Sequence, residues 1–65
     1  MKHYYTKGDL LVILNADGKP YSAYDLSEVA GMEYYGDRST ECILKSGVTR
    51  RIPISLPELL AIEKR

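Results

Sequence analysis

Apolar and polar positions alternate in short blocks along the chain. Leu10-Leu11-Val12-Ile13-Leu14 is a continuous apolar run. It is too short for a typical helix and rich in strand formers, so it predicts a strand. Ala16-Asp17-Gly18-Lys19 follows. Asp-Gly between apolar segments predicts a type I′ hairpin turn, because both residues accept the positive φ that turn requires. Pro20-Tyr21-Ser22-Ala23-Tyr24 is the expected return strand. Pro20 has no amide to donate and belongs at its first position or on an edge.

The pattern changes at Asp25. Asp25 caps a helical turn in this reading, with Glu28 three residues on at the spacing of a capping box. Leu26, Val29 and Ala30 share a face over one or two turns, and Gly31 ends them in the left-handed region. The alternative is a loop, followed by Met32-Glu33-Tyr34-Tyr35 as a strand. Whether residues 25–36 form helix, strand or loop stays open. Gly36-Asp37-Arg38-Ser39 predicts a turn.

The clearest unit spans Thr40 to Ile54. A three-residue loop, Lys45-Ser46-Gly47, with Gly47 left-handed in a bulge, sets one register. Leu44 then faces Val48, Cys42 faces Arg50 and Thr40 faces Ile52. Ile43 pairs with Thr49 and Glu41 with Arg51 on the other side, the latter an opposite-charge cross-strand pair. A two-residue loop would place Cys42 opposite Arg51 and mix apolar with charged positions. Register follows the apolar pattern, which favours the longer loop. Arg50 then lies on the apolar side, its stem at the rim of the core and its head in water.

Pro53 ends the ladder. Ser55, with Glu58 three residues later, is a capping box, and Pro57 fits the first helical turn. Leu56, Leu59, Leu60 and Glu63 fall near one another at the helical period, with Ile62 adding apolar surface. Lys64 and Arg65 complement the negative end of the helix. Two to three turns are too few to stand alone in water, so the helix must pack on the sheet. The expected fold is α+β: one domain over residues 1–65, with a small antiparallel sheet of about four to five short strands in two hairpins and a short C-terminal helix packed on it.

Composition narrows the picture. A chain of 65 residues buries only about 60% of its unfolded surface. Small domains usually add disulfides, a metal or a partner subunit. With one cysteine, Cys42, and one histidine, His3, no internal disulfide or four-ligand zinc site is expected. That leaves good packing or a homodimer. A lone cysteine fits a reducing compartment, and no charged start precedes a long apolar run, so neither a leader peptide nor a membrane span is expected. The cytoplasm is the default location.

Nine basic residues balance nine acidic ones, which disfavours dominant phosphate binding. The first half has a slight acidic excess and the second a slight basic one. The aromatics are six tyrosines with no phenylalanine or tryptophan. Tyrosine suits half-buried and interfacial positions.

Catalytic chemistry has little to stand on. His3 reads as a frayed surface residue without a nearby carboxylate or cysteine in sequence. Cys42 reads as a buried structural thiol. Asp9, Asp17 and Asp25 are eight apart, wrong for a calcium loop. The glycines form no phosphate-cradling run. The chain is therefore not expected to be an enzyme or to need a cofactor.

From Glu41 to Glu63 the outline is strand, glycine turn, arginine-bearing strand and serine-started leucine helix. Its text is Lys45-Ser46-Gly47, then Arg51-Ile52-Pro53-Ile54, then Ser55-Leu56-Pro57-Glu58-Leu59. Over about a third of the chain, this resembles the end of a LytTR-type DNA-binding domain and the small flagellar-operon FlbD proteins. Pro53 and Pro57 depart from the usual pattern. The resemblance implies DNA-linked regulation.

Two functions follow as expectations. The first is a small non-enzymatic regulatory binding module that contacts another protein through Tyr21, Tyr24, Tyr34 and Tyr35, which lie beside turns. In each tyrosine pair, Tyr4-Tyr5 and Tyr34-Tyr35, one ring is expected inward and its neighbour outward. The alternative is a DNA-binding transcriptional regulator acting as a dimer, with Arg38, Lys45, Arg50 and Arg51 as nucleic-acid contacts. Arg50 and Arg51 are adjacent, so on a strand they point to opposite faces.

Overall fold

The computed structural model describes residues 3–63. Strands β1 (Tyr4–Lys7), β2 (Leu10–Leu14) and β3 (Pro20–Asp25) lead into a single 3-10 turn, Leu26–Glu28. Strands β4 (Val29–Gly36), β5 (Ser39–Leu44) and β6 (Thr49–Ile52) follow, and helix α1 (Leu56–Glu63) comes last. The α+β class holds. The strand count is corrected: among the described residues six strands form two three-stranded antiparallel sheets, β1-β2-β3 and β4-β5-β6. The added strand is β1. Its sequence, Tyr-Tyr-Thr-Lys, carries no apolar alternation of its own, and it forms by pairing with β2 from Lys7↔Leu10 to Tyr4↔Ile13. Gly8, at φ +60, makes the turn between them.

The turn after β2 differs from type I′. Gly18 takes φ +80 and no described non-glycine residue has a positive φ, so Asp17 does not. Asn15 organises the loop instead. Its side-chain oxygen accepts from the amides of Asp17 and Lys19, at 2.9 and 3.0 Å. This Asx-type arrangement satisfies two turn donors without a left-handed aspartate.

Asp25 does cap. Its carboxylate accepts from the Ser27 amide at 3.0 Å and from the Ser27 hydroxyl at 2.6 Å. The helical segment ends after three residues, and β4 begins at Val29. Gly31 therefore ends no helix. It lies within β4 opposite Ile43, and the space above it is taken by the Ile43 side chain, whose Cδ1 would stand 3.5 Å from a Cβ at this position.

The hairpin β5–β6 has the expected register: Thr40↔Ile52, Glu41↔Arg51, Cys42↔Arg50 and Ile43↔Thr49. Leu44 donates to the Val48 carbonyl at 2.8 Å, and Gly47 takes φ +93. The apolar side of this hairpin faces the other sheet. Tyr4, Leu11 and Ile13 from the first sheet meet Cys42 and Ile52 from the second, and Ile54 and Leu59 close the cluster. Each large aliphatic chain hidden here contributes about 1.5–3 kcal/mol. Thr40, fully buried among them, donates to the Ile54 carbonyl at 2.8 Å, so its hydroxyl is satisfied.

At the helix start, the Glu58 amide donates to Ser55 Oγ at 3.4 Å. The Glu58 carboxylate takes the Ser55 and Tyr4 hydroxyls, so its bonds run to side chains as well as marking the cap. Leu59 is buried while Leu60 is 45% exposed. Of these two neighbours, Leu59 is thus the one that packs on the sheets. The buried side runs through Leu59, with Leu56 and Ile62 half-buried. Lys64 and Arg65 lie outside the described residues, as does the side chain of Glu63.

Candidate functional site

The β4–β5 turn carries the densest exposed group of aromatic and charged side chains. The register between these strands slips between Tyr34 and Gly36. Tyr34 pairs with Thr40, Gly36 pairs with Ser39, and Tyr35 is the extra residue. Both rings stand in solvent, Tyr34 63% and Tyr35 49% exposed. Tyr34 shares the face of its register partner, buried Thr40, but its ring is left uncovered, so the expectation that one of this pair turns inward is corrected. It holds for the other pair, with Tyr4 buried and Tyr5 44% exposed.

Neither exposed ring is loose. The Tyr34 hydroxyl donates to Asp37 Oδ1 at 2.7 Å. The hydrogen bond to Asp37, and after it the repulsion between two negative charges, hold the Tyr34 phenol above its ordinary range. The Arg51 guanidinium lies 4.0 Å from the centroid of the Tyr35 ring, a cation–π contact. Arg51 reaches it from β6, on the side of the sheet that also holds Glu41, its partner in the register.

A cleft of about 570 Å³ adjoins this turn, lined by His3, Asp37, Arg38, Pro53, Ser55 and Glu58 among others. His3 is fixed rather than frayed: its Nε2 donates to the Pro53 carbonyl at 2.9 Å. Tyr4 donates to Glu58 at 2.8 Å nearby. Burial first, and then the hydrogen bond to Glu58, raise the Tyr4 phenol above its usual value. His3, Tyr4, Asp37, Ser55 and Glu58 thus have partners within the fold. Among the described residues, no group of three or more His, Cys, Asp or Glu side chains could hold a metal ion.

The remaining candidates scatter. Tyr24 faces inward opposite Leu11, half-buried, and packs against the core. Tyr21 is 61% exposed on β3, in the other sheet from Tyr34 and Tyr35. The four candidate tyrosines therefore do not form one surface. The basic residues are equally dispersed. Arg38 sits in the β4–β5 turn and Lys45 in the β5–β6 loop, at opposite ends of β5. A six-residue strand separates them by about 17–20 Å. Arg50 points to the inner side opposite Cys42 and lines a second cleft of about 210 Å³ with Tyr24, Leu44 and Ile52. Arg51 points the other way.

Sequence reasoning passed over the second face of β2, where Leu10 is exposed, Leu14 half-buried and Val12 buried at 7%. Strand alternation sends Leu11 and Ile13 into the core and these three to the opposite face, where Leu10 is 41% exposed. The signal was present. A one-sided strand alternates apolar with polar, whereas an unbroken apolar run implies cover on both faces.

No helix among the described residues is long and apolar enough to cross a membrane. No family model, curated protein or solved structure matches the chain. The likeness of Glu41–Glu63 to the LytTR-type and FlbD endings therefore rests on that hairpin–helix outline alone.

Proposed function

We propose that this chain is a small non-enzymatic regulatory module, acting in the cytoplasm, that binds another protein through Tyr34, Tyr35 and Arg51. One observation carries the reading: two exposed tyrosine rings are held in place before any partner arrives, one by Asp37 and one by Arg51. Tyrosine and arginine dominate the energetic centres of protein interfaces. Rings already ordered lose less entropy on binding. The dispersal of Arg38, Lys45, Arg50 and Arg51 favours this reading over DNA binding, which gains from phosphate contacts along one continuous surface.

The test combines capture and salt. Immobilised full-length chain is used to capture partners, which are identified by mass spectrometry. Tyr35→Ala should abolish capture of the principal partner, at a cost of about 2 kcal/mol or more if the ring is a central anchor. Lys45→Ala and Arg50→Ala should leave it. Arg51 is unsuitable as a discriminating variant, because its loss also releases Tyr35. Duplex DNA is tested separately by fluorescence anisotropy. Tight binding whose logarithm falls by about 0.9 per phosphate contact with the logarithm of salt, unaffected by Tyr35→Ala, would transfer the proposal to the DNA-binding alternative.

A further inference from the structure

We infer that two copies of this chain pack face to face through the outer surface of the β1–β2–β3 sheet, about a twofold axis running along β2. The inference goes beyond the Tyr34–Tyr35–Arg51 site, which lies on the other sheet.

The starting point is β2. Its inward residues, Leu11 and Ile13, belong to the core. Its outward residues are Leu10, Val12 and Leu14, all aliphatic. Tyr5 and Ala23 flank Val12 in the register, and Tyr21 stands 61% exposed further along β3. The face is thus apolar, with Val12 at its centre already buried at 7%, Leu14 half-buried, and Leu10, Tyr5 and Tyr21 exposed around them. Antiparallel sheets with one solvated face normally carry polar residues there.

The occupant is read from two rows that cross the sheet. In one row Lys7, Leu10 and Asp25 are register partners; in the next Tyr5, Val12 and Ala23 are. Lys7 and Tyr5 belong to β1; Asp25 and Ala23 belong to β3. A twofold axis along β2 lays β1 of one copy over β3 of the other and keeps each row in place. Lys7 then meets the partner's Asp25, and Tyr5 meets the partner's Ala23. The first contact is complementary in charge, and both set a long side chain against a short one. Each occurs twice by symmetry, as an isologous interface requires. Strand directions stay aligned within the roughly 30° typical of stacked sheets.

The size of the face sets the strength. Three strands spaced about 4.8 Å apart, with five residues rising about 3.4 Å each, cover roughly 240 Å² in projection. Even doubled for side-chain relief, the total for two copies falls short of the roughly 1,200–2,000 Å² of a standard stable interface. The dimer is therefore a weak one and must be sought at high concentration.

Sedimentation equilibrium of the full chain from about 10 μM to about 1 mM tests this. The weight-average mass should rise from 7.4 kDa toward twice that value. Lys7→Asp places acid against acid and Asp25→Lys places lysine against lysine, so each variant alone should stay monomeric. An equimolar mixture should dimerise again, because both cross-contacts become Asp–Lys. Asp25 also caps the 3-10 turn, so circular dichroism must show Asp25→Lys to be folded. If it is not, Leu10→Glu replaces it: this position is already 41% exposed, and two glutamates beside the axis should abolish the dimer. A wild-type chain that remains 7.4 kDa throughout overturns the inference. So does a dimer that survives Leu10→Glu or Lys7→Asp, which would place the contact at a strand edge or on the other sheet. Either result leaves the Tyr35 reading standing.

Discussion

The hydroxyl of Tyr4 donates to the carboxylate of Glu58 at 2.8 Å, joining the first strand to the first turn of the helix across 54 residues of sequence. The contact lets a phenol with a buried ring keep its hydrogen bond. It also anchors α1 at the end where Ser55 caps it.

Removing the hydroxyl should cost little at neutral pH. Tyr4→Phe should lower stability by about 0.5–1.5 kcal/mol, because half-buried Glu58 can recover a water. The pH dependence is more specific. The folded Tyr4 phenol titrates above its usual value, so its contribution is complete below about pH 10. It is lost as pH rises from there through the folded value. Urea midpoints measured from neutral to strongly alkaline pH should fall more steeply for the wild type than for Tyr4→Phe.

Leu59 and Leu60 are adjacent and chemically identical, yet their truncations should differ widely. Leu59→Ala removes a fully buried side chain and should cost about 2–5 kcal/mol. Leu60→Ala, at an exposed position, should stay within about 0.5 kcal/mol. Equal shifts of the two denaturation midpoints would contradict the helix orientation.

Cys42 is fully buried. A thiol reagent should label it only as fast as the domain opens, and far more slowly than in the urea-unfolded chain. Labelling at the unfolded rate under native conditions would show that the two sheets do not close over β5.

Two glycines should respond in opposite ways. Gly47→Ala meets open space but keeps a φ of +93, a conformation costing side-chain-bearing residues about 1–2 kcal/mol. Gly31 has no positive φ, and its added methyl would meet Ile43 at an ordinary 3.5 Å. Gly31→Ala should be neutral or stabilise by up to about 1 kcal/mol. Thermal melts of the two variants check the sign.

Asp25 should titrate below the ordinary aspartate range, chiefly because the Ser27 hydroxyl and then its amide donate to the carboxylate. Its support of the fold is therefore present at neutral pH. It disappears as pH falls through the usual aspartate value toward the lower folded one. NMR titration of the Asp25 carboxyl carbon in the wild type and in Ser27→Ala should show the midpoint moving up when the hydroxyl is removed.

Much of this architecture is written in short stretches of sequence. Gly47 with its flanking residues determined the β5–β6 register, since only that loop length keeps Cys42, Thr40 and Ile52 on one side. Asp25 and Ser55 marked where helical turns begin, and Pro53 marked where the ladder stops. These signals act within a few residues, through φ preferences, cap hydrogen bonds and alternation of faces. Tertiary structure decided the rest. β1 exists because β2 offers it an edge. Leu59 is buried and Leu60 is not because α1 docks by one side against Tyr4 and Ile54. Tyr34 reaches solvent although its register partner Thr40 is buried, because the core cluster does not extend over its ring. In each case the outcome depends on which surface meets which, and that is settled by packing between segments far apart in the chain.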